Sequence, residues 1–199
     1  LLKDGVMSTS LIVVLVVVVV ILLWFLGIYN KLISLIEATN NNKRQIDVQL
    51  DRRYKVFESL IEAVKNYMDY EKTTLKDVVA LRNQAQSAKA AGDEKSRMTA
   101  EEGISKIASG INLVFEQYPD LKASQNVLQL QEEVVNTENK LAYAKQAYND
   151  SVERYEAKKK SFFESVVVSC CSSSLNKSFE YWGLTDDVVK AREDYTVKF

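Results

Sequence analysis

The stretch LIVVLVVVVVILLWFLGIYNK, Leu11 to Lys31, decides how the rest of the chain is read. Leu11 to Leu26 are sixteen apolar residues in a row, and no charge falls between Asp4 and Lys31. A bilayer hydrocarbon core of about 30 Å takes about 20 helical residues. Leu11 to Ile28 supplies most of that length, and the uncharged Met7 to Ser10 can add a turn. Valine is a modest helix former in water, but in lipid an unpaired backbone group is so costly that the segment must coil. Trp24 and Tyr29 sit towards one end, where aromatic rings favour the headgroup region. Two rivals exist. A cleavable signal has a shorter apolar run followed by small residues, whereas this run passes into the bulky WFLGIYNKL. A buried core helix needs a large domain around it. The expectation is a single membrane-spanning helix, with Leu11, Val16, Ile21, Trp24, Phe25 and Tyr29 as anchor residues and the lipid bilayer as partner.

The remainder of the 199 residues suffices for one domain. The net charge of −1 gives no basic field for nucleic acid, so none is expected as a partner. There is no histidine, which removes the commonest general base and metal ligand. Cys170 and Cys171 are adjacent and read as reduced thiols. The chain opens on leucine, and Met7 is an alternative start. Lys31, Lys43 and Arg44 follow the anchor against Lys3 and Asp4 before it, which favours an N-terminus outside and the main domain in the cytoplasm.

Pro119 is the only proline, and neither proline nor glycine occurs between Ile28 and Ala91. Such scarcity predicts long helices. Ile46, Leu50, Tyr54, Phe57, Ile61, Val64, Met68, Leu75 and Val78 recur in three- and four-residue steps, one face of a helix running on to about Ala91. Gly92 stops it and Asp93 caps the next. A second helix, about 93–117, would bury Met98, Ile104, Ile107, Ile111, Val114, Phe115 and Tyr118, with Gly103 and Gly110 on one side. A third, about 120–162, repeats Val127, Leu130, Val134, Thr137, Leu141, Ala144, Tyr148, Val152 and Tyr155 near the 3.5-residue coiled-coil period. The expected fold is all-α. A transmembrane helix continues into an antiparallel bundle of three long helices, with a short C-terminal segment. The divisions are 1–30 tail and anchor, 31–160 bundle and 161–199 tail.

Four segments in order, FLGIYNKLISL, DVQLDRRYKVFESLIEAVKNYMDYEKTTL, YPDLKASQNVLQLQEEV and TENKLAYAKQAYNDSVERYE, resemble the LemA family of bacterial membrane proteins. The resemblance covers roughly residues 24 to 160. It implies an N-terminal anchor, a helical antiparallel bundle and a bacterial envelope location with the N-terminus outside. The tail EAKKKSFFESVVVSCCSSSLNK departs from the family's usual pattern.

The tail admits three readings: a short fourth helix, an amphipathic segment on the membrane, or a subunit contact. Phe162, Phe163, Phe179, Tyr181 and Trp182 are costly to leave in water and are the candidate interface. The acidic pairs Asp47–Asp51 and Glu58–Glu62 read first as a solvated face beside Arg52, Arg53 and Lys55. Arg52 and Arg53 are alternatively partners of Glu138 or Asp150, and Asn139 and Asn149 are candidate buried polar residues setting register. Lys158 to Lys160 read as a solvated run. No catalytic, cofactor or metal motif is visible, so no enzyme activity and no cofactor are expected. The functional expectation is a membrane-anchored scaffold that self-associates into a homo-oligomer. The alternative is a signalling adaptor that binds another envelope protein through the bundle or the tail.

Overall fold

The computed structural model describes residues 9–64, 71–116 and 124–183. Six helices occupy them: α1 (Thr9–Val64), α2 (Glu71–Ala91), α3 (Glu94–Glu116), α4 (Gln125–Lys159), α5 (Phe162–Cys170) and α6 (Ser172–Leu175). No strand occurs among the described residues. The chain forms two units, one from residues 1–41 and 150–179, the other from 42–149 and 180–199. Both α1 and α4 contribute to each.

In the second unit, the order of polar pairings fixes helix direction. Asn42 of α1 reaches the Ala147 carbonyl of α4, whereas Arg52 reaches Glu133, so the two helices run antiparallel. Lys43 meets Glu94 and Arg53 meets Glu101, so α3 runs with α1. Lys89 meets Asp47 and Arg82 meets Glu58, so α2 runs against α1. The uninterrupted helix expected up to Ala91 is therefore two helices that fold back on each other, and the unit packs four helical segments where three were expected. The sequence hides this reversal, because neither glycine nor proline occurs between Ile28 and Ala91 and the apolar period merely skips at Glu71.

The core follows the predicted periodicity in α1 and α4, whereas α3 turns Arg97, Ala100, Glu101 and Ala108 inwards beside Ile104, the one expected position of its described side chains that is buried. Ile46, Leu50, Tyr54, Phe57, Leu60 and Ile61 of α1, Val78 and Ala85 of α2, Ala100, Ile104 and Ala108 of α3, and Val127, Val134 and Leu141 of α4 are buried. Met98, Ile107, Leu130 and Ala144 are half-buried. The core positions expected at Met68 and Tyr118 lie outside the described residues, as do the side chains of Val64, Leu75, Ile111, Val114 and Phe115. Between α2 and α3, Gly92 takes φ +74°, a conformation glycine adopts without strain. Asp93 then caps α3 through the Ser96 N–H at 3.0 Å.

In the first unit, Leu32 and Ile36 of α1, Tyr155 of α4, Val167 and Val168 of α5 and Leu175 of α6 form one cluster, joined by Phe25, Ile28, Tyr29 and Phe179. Lys158 and Lys159 complement the dipole at the end of α4, and Glu164 that at the start of α5. The Tyr155 hydroxyl ties down the chain after α6. It donates to the Leu175 carbonyl and accepts from the Lys177 N–H at 2.9 Å.

Candidate functional site

The N-terminal part of α1 is long and apolar enough to cross a membrane, and none of its apolar window is buried. Leu11, Val16, Ile21 and Trp24 are exposed along it. Phe25 and Tyr29 instead turn partly into the first unit's core. Protein packing on this helix thus begins near the end of the apolar run, at Trp24 and Phe25.

The aromatic residues of the tail separate into distinct environments. Phe162 and Phe163, in the first turn of α5, are 77 % and 57 % exposed. Their rings meet edge-on at 5.2 Å, and Phe163 meets Trp24 of α1 at 5.4 Å. Phe179 packs edge-on against Tyr155 within the same unit. Tyr181 is exposed and Trp182 is buried, both in the second unit. Asn149 clasps the Trp182 backbone from both sides: its amide donates to the Trp182 carbonyl at 2.6 Å, and its carbonyl accepts from the Trp182 N–H at 2.7 Å. The Tyr148 hydroxyl donates to the Glu180 carbonyl at 2.9 Å. Arg97 and Lys145 place their cations 5.0 and 5.8 Å from the Trp182 ring, an arrangement favoured by the negative face of the indole. Residues 180–183 form a strap held onto α3 and α4. Asn149 acts on this strap, whereas Asn139, the other expected register residue, is exposed.

At the centre of the second unit lies a charged network. Arg53 (1 % exposed) forms an ion pair with Glu101 (2 % exposed). It also donates to the Ser105 hydroxyl at 2.9 Å and reaches Glu138 at 3.4 Å. Ser105 donates to Glu138 at 2.9 Å, and the Tyr54 hydroxyl donates to Glu101 at 2.5 Å. Burial, then the neighbouring Glu101, pushes the Tyr54 phenol well above its ordinary range. Burial and the charge of Arg53 push the Lys145 ammonium down, against the pull of Glu138, Glu101 and Glu102. Among the described residues the Arg53 Nε has no hydrogen-bond partner. A buried charge of this kind is stabilising only while its partners remain in place.

Glu138 is thus a partner of Arg53, one of the two alternatives the sequence offered, but Arg52 takes Glu133. Asp150 falls in the other unit. Glu101, the main partner, was not foreseen. Its only signal is an acidic residue at the core spacing of Ala100, Ile104 and Ala108, and that spacing alone does not say which cation it meets. The acidic pairs do not act as pairs. Burial works against the charge on Asp47, but hydrogen bonds from Lys89 and Arg97 outweigh it and hold its carboxyl below the usual range. Glu58 pairs with Arg82. Among the described residues no cluster of three or more histidines, cysteines or carboxylates converges on a metal position.

One surface of α4 exposes apolar side chains. Leu128 and Val135, seven residues apart, are exposed and line a shallow groove with Gln131, Glu132, Asn136 and Asn139. Tyr143, further along the helix, is 72 % exposed.

The sequence profile of the LemA family matches residues 42–199. Protein LemA of Metamycoplasma hominis is 26 % identical over 143 residues, 72 % of this chain and 64 % of that relative. The chain therefore spans somewhat less than two thirds of the length of the curated relative it matches.

Proposed function

The chain belongs to the LemA family, and from that premise we propose that it is a membrane-anchored scaffold without catalytic activity that self-associates through its helical domain. The apolar start of α1 holds it in a bacterial membrane as a single-pass protein, with the N-terminus outside and the helical domain in the cytoplasm. Confinement to a plane raises the effective concentration of copies, so a modest interface suffices for assembly. The observation that carries the reading is the outer face of α4. Leu128 and Val135 repeat at one heptad, amides surround them, and Glu132 is the one charge in the groove. Paired with a second copy, such a face buries its apolar centre and leaves amides to set register.

The test is the mass of the full-length protein in mild detergent, with Leu128→Glu and Val135→Glu as controls. A defined oligomer that the two substitutions dissociate supports the reading. A monodisperse monomer of the unsubstituted protein overturns it.

A further inference from the structure

The short helix α5 is apolar on its outward side as well as on its inward one. Glu164, Val167 and Val168 face inwards, whereas Phe162, Phe163 and Val166 face outwards at 77 %, 57 % and 52 % exposure. A helix end resting in water would ordinarily present polar groups there. The polar atoms nearby are already satisfied. The hydroxyls of Ser161, Ser165 and Ser169 each donate to a backbone carbonyl of their own segment, those of Ala157, Phe162 and Ser165. The carboxylate of Glu164 is paired with Lys158. Hydroxyls and charges arranged in this way lose little when water is withdrawn.

The position of α5 along α1 supplies the second observation. The Phe163 ring meets Trp24, within the apolar run of α1. The continuously apolar residues Leu11–Leu26 number sixteen, about 24 Å of helix at 1.5 Å per residue, short of the roughly 30 Å that hydrocarbon occupies. A span of about 20 residues counted from Leu11 ends at Asn30, and one counted from Met7 ends at Leu26. Either count leaves Trp24 inside the apolar layer or at its edge, and whatever touches Trp24 shares that depth.

We propose that Phe162, Phe163 and Val166 form a wedge that enters the lipid bilayer beside the anchor, so that α5 is a second membrane contact of the chain. The inference rests on the anchoring role of α1 proposed above. The partner is the acyl and glycerol region of the bilayer. Lys31 and Lys160, both exposed, lie on the segments leading out of it, where anionic headgroups favour cations.

Tryptophan fluorescence of the full chain in phospholipid vesicles tests this. One protein keeps Trp24 and carries Trp182→Phe. Two others carry Trp24→Phe and Trp182→Phe with Phe162→Trp or Phe163→Trp, so that a misfolded substitution at one position leaves the other to report. Lipids brominated at a shallow acyl position should quench most of the emission of Trp24 and of both introduced indoles, and aqueous acrylamide should barely affect them. Introduced indoles open to acrylamide and untouched by brominated lipid, with Trp24 still quenched, overturn the wedge and leave the anchor standing. Protection from both quenchers overturns it too, because it means that protein covers the site. Failure of the lipid to quench Trp24 removes the anchor and the wedge together.

Discussion

Arg53 and Glu101 show what a single buried charge demands of its surroundings. Each is almost fully withdrawn from water, and each is acceptable only beside the other. Arg53→Met leaves Glu101 buried without its cation and should cost about 3–5 kcal/mol, the usual penalty for breaking one side of a buried pair. The double variant Arg53→Met with Glu101→Leu should recover most of that loss, because apolar groups of similar volume need no partner. Urea unfolding followed by helicity, in mild detergent, measures both, and a double variant no better than the single one would assign the loss to packing. Tyr148 makes a pH prediction. Burial, with the charges of Glu94 and Glu180, pushes its phenol from 10.0 up to about 12. The folded chain therefore keeps a proton that the unfolded chain gives up. The stability this group supplies is whole below pH 10 and is lost as pH rises through about 12. Tyr148→Phe should make the alkaline limb of a stability–pH curve shallower, and an unchanged limb would remove Tyr148 as its cause.

Two glycines of α3 that look equivalent in sequence differ in their surroundings. Among the described residues, a Cβ at Gly110 meets nothing within 4 Å, whereas one at Gly103 lies 3.0 Å from the Leu81 Cδ1 of α2. Gly110→Ala should therefore stabilise by nearly the full propensity difference of about 1 kcal/mol. Gly103→Ala should gain much less, since Leu81 has to move, and thermal unfolding of the two variants side by side decides it. The strap at 180–183 makes another prediction at this scale. Trp182→Ala removes the ring between Arg97 and Lys145, and amide exchange at residues 180–183 should rise towards that of a frayed end while the core of α4 stays protected. The same elements show how far the sequence could be read. The apolar periods of α1 and α4 and the Gly92–Asp93 turn were legible, because burial and capping are written locally. The reversal before α2 was not, since no breaker residue marks it. Nor was the docking of Trp182, because its partners Arg97, Lys145 and Asn149 come from two other helices. The aromatic residues of the tail could be counted in the sequence, but only the fold separates the exposed pair in α5 from the buried indole of the strap.

At the scale of the whole molecule, the proposed function depends on which side of a membrane the anchored chain would present. The charge bias after the anchor rests on Lys31, Lys43 and Arg44 against Lys3 and Asp4, a small difference on which orientation nonetheless turns. The chain carries its own reporter. Its two cysteines, Cys170 and Cys171, are both free thiols that follow the anchor, and Cys170 is exposed. With the N-terminus outside, a maleimide that cannot cross membranes should leave the protein unlabelled in intact cells stripped of their outer layers, and should label it once the cells are lysed. Labelling of Cys170 before lysis would place the helical units outside the cell. Assembly through the outer face of α4 would then have to be sought among extracytoplasmic partners, while the apolar span and the lipid contact of α5 would hold in either orientation.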